Sequence, residues 1–150
     1  MNILFSSLRT GSHWHGLLLR FTLGAVILPH GCQLLLGWFD GFGFNVSMQY
    51  FTGTVGLPWL IGFLVILIQF VGSIFLLAGF ASRLVALAMT ILFFGMITTS
   101  HLDHGFFMNW IGIQKGEGVE YHILAIGLAL TILLTGSGRY SIDQAITSAD

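Results

Sequence analysis

Four apolar stretches, at about 16–37, 57–79, 83–101 and 119–136, leave this chain few folds to choose from. A membrane-crossing helix needs roughly 20 mostly apolar residues, and the stretches approach or reach that length. Only 7% of the residues are charged and 55% are hydrophobic, with a mean hydropathy of +0.90. An ordinary soluble domain carries about 25% charged residues, so that class is excluded. Backbone polar groups inside a bilayer must be bonded internally, which makes the stretches helices. The expected fold is an all-α membrane protein, one domain over residues 1–150, built as an antiparallel bundle of four transmembrane helices. The fourth stretch is the shortest and opens on Glu120 and His122, so its start is the least sharply marked.

Orientation follows the cations. Arg9, Arg20, Arg83 and Arg139 belong to one side and Lys115 alone to the other, which places both termini in the cytoplasm. The connections at about 38–56 and 102–118 then face outward. Both are rich in glycine and aromatic residues (Trp38-Phe-Asp-Gly-Phe-Gly-Phe44 and Phe106-Phe-Met-Asn-Trp110), as suits a cap lying at the membrane surface. The stretch 1–15 is expected along the inner surface. A net charge of −1 offers no basic face for nucleic acid. The single Cys32 excludes an intrachain disulfide and any cysteine-rich metal site. No Ala-x-Ala-like cleavage site follows the first apolar run, so it reads as a retained helix rather than a signal peptide. Gly72, Ala78, Ala125 and Gly127 are small residues that favour close helix contact.

Polar residues within or bordering these runs mark where function is to be sought, because they are costly in a bilayer and generally face a bundle interior. His30 lies in the outer half of the first helix, just after Pro29, and Gln69 lies near the middle of the second. His101 ends the third helix at its outer edge, where Glu120 and His122 begin the fourth. Imidazole titrates near neutral pH, so His30 can bond a carbonyl oxygen of a ligand or relay a proton. Its alternative is a neutral ring bonded to a backbone carbonyl freed by a kink at Pro29. Gln69 is either a ligand donor or an interhelical hydrogen bond worth about 1 kcal/mol or less.

His101, His104, Glu120 and His122, with Asp103 nearby, supply the residue types of a two-histidine, one-carboxylate metal site. Glu120 and His122 point to opposite sides of a helix, and the adopted reading is a polar cap with no metal. Cys32 lacks a cationic neighbour that would make it a thiolate. At the inner side Arg83 and Arg139 are expected to anchor lipid phosphate or cap helix ends, and Arg20 to pair with Asp143. Ser141 is placed to cap a short terminal helix over Asp143–Ser148.

These residues fall in an ordered series. Leu19-Arg-Phe-Thr-Leu-Gly24, His30-Gly31 and Gly37-Trp-Phe39 come first. Leu77-Ala-Gly-Phe-Ala-Ser-Arg83, His101-Leu-Asp-His-Gly-Phe-Phe107, Glu120-Tyr121 and Gly136-Ser-Gly-Arg-Tyr-Ser-Ile-Asp143 follow. The series, over about residues 17–146, resembles DoxX-family membrane proteins. The resemblance implies a four-helix protein of the bacterial inner membrane, similar to subunits found beside oxidoreductases, including thiosulfate:quinone oxidoreductase and oxidative-stress complexes. Gln69 stands where relatives commonly carry a glutamate, and Leu34 where many carry a lysine.

The first functional expectation is therefore a membrane subunit of a quinone-linked oxidoreductase system. His30 and Gln69 would contact a quinone, and His101 and Glu120 would handle protons at the outer mouth of a polar pocket. The sequence has no flavin motif, no Cys-x-x-Cys-His and no iron–sulfur cysteine set, so electrons would come from a redox partner or from the substrate. A second reading is a non-catalytic anchor or assembly partner for a redox or metal-handling protein. Solute or proton passage is a third, opposed by the apolar gap between the outer and inner polar sets.

Overall fold

The computed structural model describes Thr10, Gly11 and residues 13–148. Arg9 and most of the 1–15 stretch lie outside these residues. The protein is 72% helical, and the described residues contain no strand. Helix α1 runs Trp14–Leu36 and continues through Pro29 to a left-handed Gly37. A short helix, α2 (Gly43–Gln49), leads into a π-helical turn, Tyr50–Thr54. Helix α3 spans Trp59–Ala78 and α4 spans Ser82–His104. Helix α5 covers Glu120–Thr135, and α6 covers Ile142–Thr147.

Three of these, α1, α3 and α4, are long and apolar enough to cross a membrane. Helix α5 is apolar but has only 16 residues. At 1.5 Å per residue it reaches about 24 Å, less than a typical hydrocarbon core of about 30 Å. Observed helix ends lie within three residues of the expected limits.

The core is shared by α1, α3, α4 and α5. Leu23 and Ile27 of α1 and Leu76 of α3 meet Ala86, Met89 and Phe93 of α4 and Ala125, Ala129 and Ile132 of α5. The i, i+4, i+7 spacing of Ala125, Ala129 and Ile132 puts them on one face. The alanines there permit α4 and α5 to pack closely. The opposite faces carry exposed Leu18, Leu60, Phe94, Leu124 and Leu134, as expected of surfaces that meet lipid.

The end of α3 and the chain that follows α5 are tied together by Arg20, which is only 1% exposed. Its Nε donates to the Ser137 carbonyl at 3.0 Å. One terminal nitrogen donates to the carbonyls of Leu76 and Leu77, the other to those of Arg139 and Tyr140. A guanidinium has five N–H groups, and these five bonds use all of them. Two acceptors belong to the last turn of α3, where the helix dipole favours a cation; Leu76 accepts from Gly79 N as well.

Asp143 was expected to pair with this arginine, and the two charges do attract each other across this end of the molecule. The direct hydrogen bonds of its carboxylate come from the backbone N–H groups of Ala81 (2.7 Å) and Ser82 (3.0 Å), capping the start of α4 from a distant part of the chain. Arg83 caps α5 by donating to the carbonyls of Leu133 and Leu134, and the Arg139 guanidinium lies 5.1 Å from the Trp14 ring centre. The terminal helix forms as anticipated, with Ser141 Oγ accepting from Gln144 N at 3.1 Å.

Candidate functional site

The site begins where α1 and α3 approach most closely. A Cβ added to Gly31 would lie 2.6 Å from the Phe70 nitrogen, so only glycine permits this contact. His30 and Gln69 immediately precede those two residues, and the helix contact therefore brings both onto the wall of one cavity. The cavity has a volume of about 540 Å³ and is walled by α1, the α2–α3 connection, α3 and α4. That volume falls within the usual range for small-molecule sites, about 300–1,000 Å³.

Three π-helical turns are present among the described residues, and all three contribute to this wall. Tyr50 and Phe51 come from the turn after α2, Ile68 and Gln69 from the turn inside α3 (Ile68–Gly72), and Thr99, Ser100 and His101 from the turn in α4 (Ile97–His101). A π turn inserts an extra residue into the helical register and re-aims the side chains around it, and such turns recur at functional sites.

The pocket was expected to be polar, but most of its surface is apolar, with Leu64, Val65, Ile91 and Leu92 prominent. Each helix turns only one to three polar side chains inward. The polar groups are His30 and Gln33 from α1, Gln69 from α3 and the Thr99–His101 segment of α4.

His101 Nδ1 lies 2.9 Å from the Glu117 carbonyl. A carbonyl only accepts, so Nδ1 carries the hydrogen of this bond and Nε2 is left free of it. Behind His101 stands His122, with ring centres 4.1 Å apart. His122 is buried and its Nδ1 has no hydrogen-bond partner; the buried Tyr121 hydroxyl also has none. The Tyr121 ring lies 6.3 Å from that of His30. An unbroken series of rings thus runs from His30 through Tyr121 and His122 to His101.

Glu120 is not on the cavity wall. Its Oε1 accepts from Met108 N at 2.9 Å and from Trp110 Nε1 at 3.1 Å, folding the 105–119 connection over the start of α5. The His104 ring packs against Gly116, away from the cavity. Among the described residues no three His, Cys, Asp or Glu side chains converge as a metal site would require. Cys32 is a buried free thiol. Tyr121 and the Thr99–Ser100 pair were not singled out by sequence reasoning. The adjacency of Tyr121 to Glu120 and His122 was the available signal for the first.

The family model described as DoxX matches residues 15–102. The chain belongs to the DoxX family. That match runs from the first turn of α1 to Leu102 in the last turn of α4 and contains every residue of the cavity wall. This DoxX protein is also similar to the Bacillus subtilis (strain 168) protein named "Putative oxidoreductase CatD", with 28% identity over 130 residues, 87% of this chain and 85% of that protein. No solved structure matches it.

Proposed function

We propose that this protein is a bacterial inner-membrane subunit of a quinone-linked oxidoreductase system, and that the cavity holds the quinone. Helices α1, α3, α4 and α5 form an antiparallel four-span bundle with both termini cytoplasmic. The proximity of Arg20 to the ends of α3 and α5, and of His101 to the start of α5, supports the antiparallel order, and the excess of arginines at the Arg20 end supports the orientation. The convergence of all three π turns on the cavity carries the functional reading.

The residues present suit a quinone. The Gln69 amide and the His30 imidazole can donate to its two-sided carbonyl pattern, and the apolar wall accommodates a ring and tail. A bound quinone would supply two-electron, two-proton chemistry, with electrons delivered by a redox partner. Gln69 and His30 orient the ligand, Leu64, Val65 and Leu92 exclude water, and His101 exchanges a proton at the outer end through Nε2. Glu120 keeps the outer loop in place. The name of the CatD relative supports an association with oxidoreduction.

The test is extraction of quinone from nanodiscs carrying wild type or His30→Ala. Near-stoichiometric quinone lost in the variant supports the reading; equal background amounts in both overturn it. One observation favours the alternative of a docking anchor. Trp110, Ile111 and Ile113 are 84%, 81% and 80% exposed on a loop held by Glu117 and Glu120. Under that alternative, alteration of this tip abolishes partner activity and His30→Ala leaves it intact.

A further inference from the structure

We infer that the cavity is entered sideways from the bilayer, through a gap between α3 and α4, by an amphiphile whose apolar tail stays in that gap. This extends the ligand-holding reading of the cavity and does not require the ligand to be a quinone. Helix α4 packs on the Ile68–Gly72 and Ser73–Ala78 parts of α3. The close contact there puts Val85 Cγ1 3.2 Å from a Cβ placed on Gly72. The Trp59–Leu67 part leans instead on α1, α2 and the turn after α2. The two helices therefore meet at their inner parts and separate outward, and the separation is the cavity.

Ile91 of α4 and, nearer the outer end of α3, Ile61 line the cavity and are still 64% and 44% exposed. Ile91 stands near the middle of the 23-residue α4, at membrane depth. A cavity wall that is exposed there meets acyl chains, not water. Tyr50, Phe51, Val55 and Leu57 from the α2–α3 connection also line the cavity, placing chain between it and the outer surface.

The wall is graded along α4. Ala88, Ile91 and Leu92 lie deep, and Thr99, Ser100 and His101 lie at the outer end. From Ala88 to His101 the helix rises about 20 Å. Along α4 the slot thus presents hydrogen-bonding groups at its outer end and hydrocarbon at its deep end, while His30 and Gln69 on the facing wall add polar groups nearer mid-membrane, so the deep α4 side is left for an apolar tail.

Gly95 provides the probe. It lines the slot, and a Cβ added to it meets no atom within 4 Å. In a Cys32→Ser background, Gly95→Cys is reacted in nanodiscs with a long-chain alkyl maleimide and with a sulfonated, water-soluble maleimide. Phe94→Cys, exposed at the same depth but off the cavity wall, is the lipid-facing reference, and Lys115→Cys is the aqueous one. The expected result is alkyl-maleimide labelling of Gly95→Cys at a rate comparable to Phe94→Cys. Sulfonated reagent is expected to react on the order of a hundredfold more slowly than with Lys115→Cys, because its charge must enter hydrocarbon.

Comparable sulfonated labelling at Gly95→Cys and Lys115→Cys would overturn the lateral entrance, as would failure of the alkyl reagent where Phe94→Cys reacts. Preloading with a long-tailed quinone separates the two claims. Selective protection of Gly95→Cys supports both. The same labelling pattern without protection sustains the entrance and removes quinone as the occupant.

Discussion

Gly31 of α1 rests directly on the backbone of Phe70 in α3, and this contact sets His30 and Gln69 on a common cavity wall. Gly31→Ala drives a methyl group into that backbone. A loss of about 1–3 kcal/mol is expected from the overpacking, together with weaker ligand retention. Thermal unfolding in detergent and quinone extraction measure the two effects. Gly127→Ala is the comparison: its Cβ enters open space, and helix propensity favours alanine by about 1 kcal/mol. Equal destabilisation by both changes would contradict the contact.

Arg20→Ala is expected to cost at least about 3 kcal/mol, since it takes the side-chain donor from the carbonyls of Ser137, Leu77, Arg139 and Tyr140, while Leu76 keeps its bond from Gly79 N. Arg20→Lys recovers only part of this, because an ammonium has three donors and no planar fork. Arg139→Ala, which loses mainly a ring contact, should cost about 0.5–1 kcal/mol. Midpoints of thermal unfolding give the order Arg20→Ala, Arg20→Lys, Arg139→Ala from worst to mildest; any other order sinks this account of the Arg20 cluster.

The residues that sequence reasoning selected divide by how much their role depends on chain path. His30, Gln69 and His101 stood out as polar groups within or ending apolar runs, and all three reach the cavity. Glu120 was selected on the same ground, but its partners Met108 N and Trp110 Nε1 lie on a connection whose course no periodicity reveals. Arg20 and Asp143 were correctly assigned to one end of the molecule. Their separate bonding to carbonyls and amides depends on left-handed turns at Gly79 and Ala81, which a charge count does not show. The π turns have no distinctive spacing, because they arise from packing between helices.

Glu120→Gln tests the assignment of that residue to the loop. The amide retains an oxygen able to accept from Met108 N and Trp110 Nε1, so loop structure and any quinone-linked turnover should persist with an unchanged pH profile. Glu120→Ala should release Trp110, giving a shifted tryptophan emission and faster proteolysis within residues 105–118. Loss of turnover in Glu120→Gln with an intact loop would instead assign the carboxylate to proton handling.

His122→Phe removes a buried Nδ1 that lacks a partner and, with it, the ring's hydrogen bond to the Gly118 backbone, while keeping a ring against Phe93 and His101. Relief of the unsatisfied atom and loss of the bond act in opposite directions and are of similar size, about 1 kcal/mol each, so the unfolding midpoint should change little. A marked drop would show that Nδ1 also holds a bond in the folded protein.

The cavity as a quinone site is tested most directly by photolabelling. An azidoquinone with its photoreactive group on the ring would be irradiated with the protein in nanodiscs and the modified residues located by peptide mass spectrometry. Modification concentrated on the walls around His30, Gln69 and His101, and suppressed by unlabelled long-tailed quinone, is expected. Modification confined to outward faces such as Leu84, Leu124 and Leu134, and indifferent to competitor, would contradict a quinone site in this cavity.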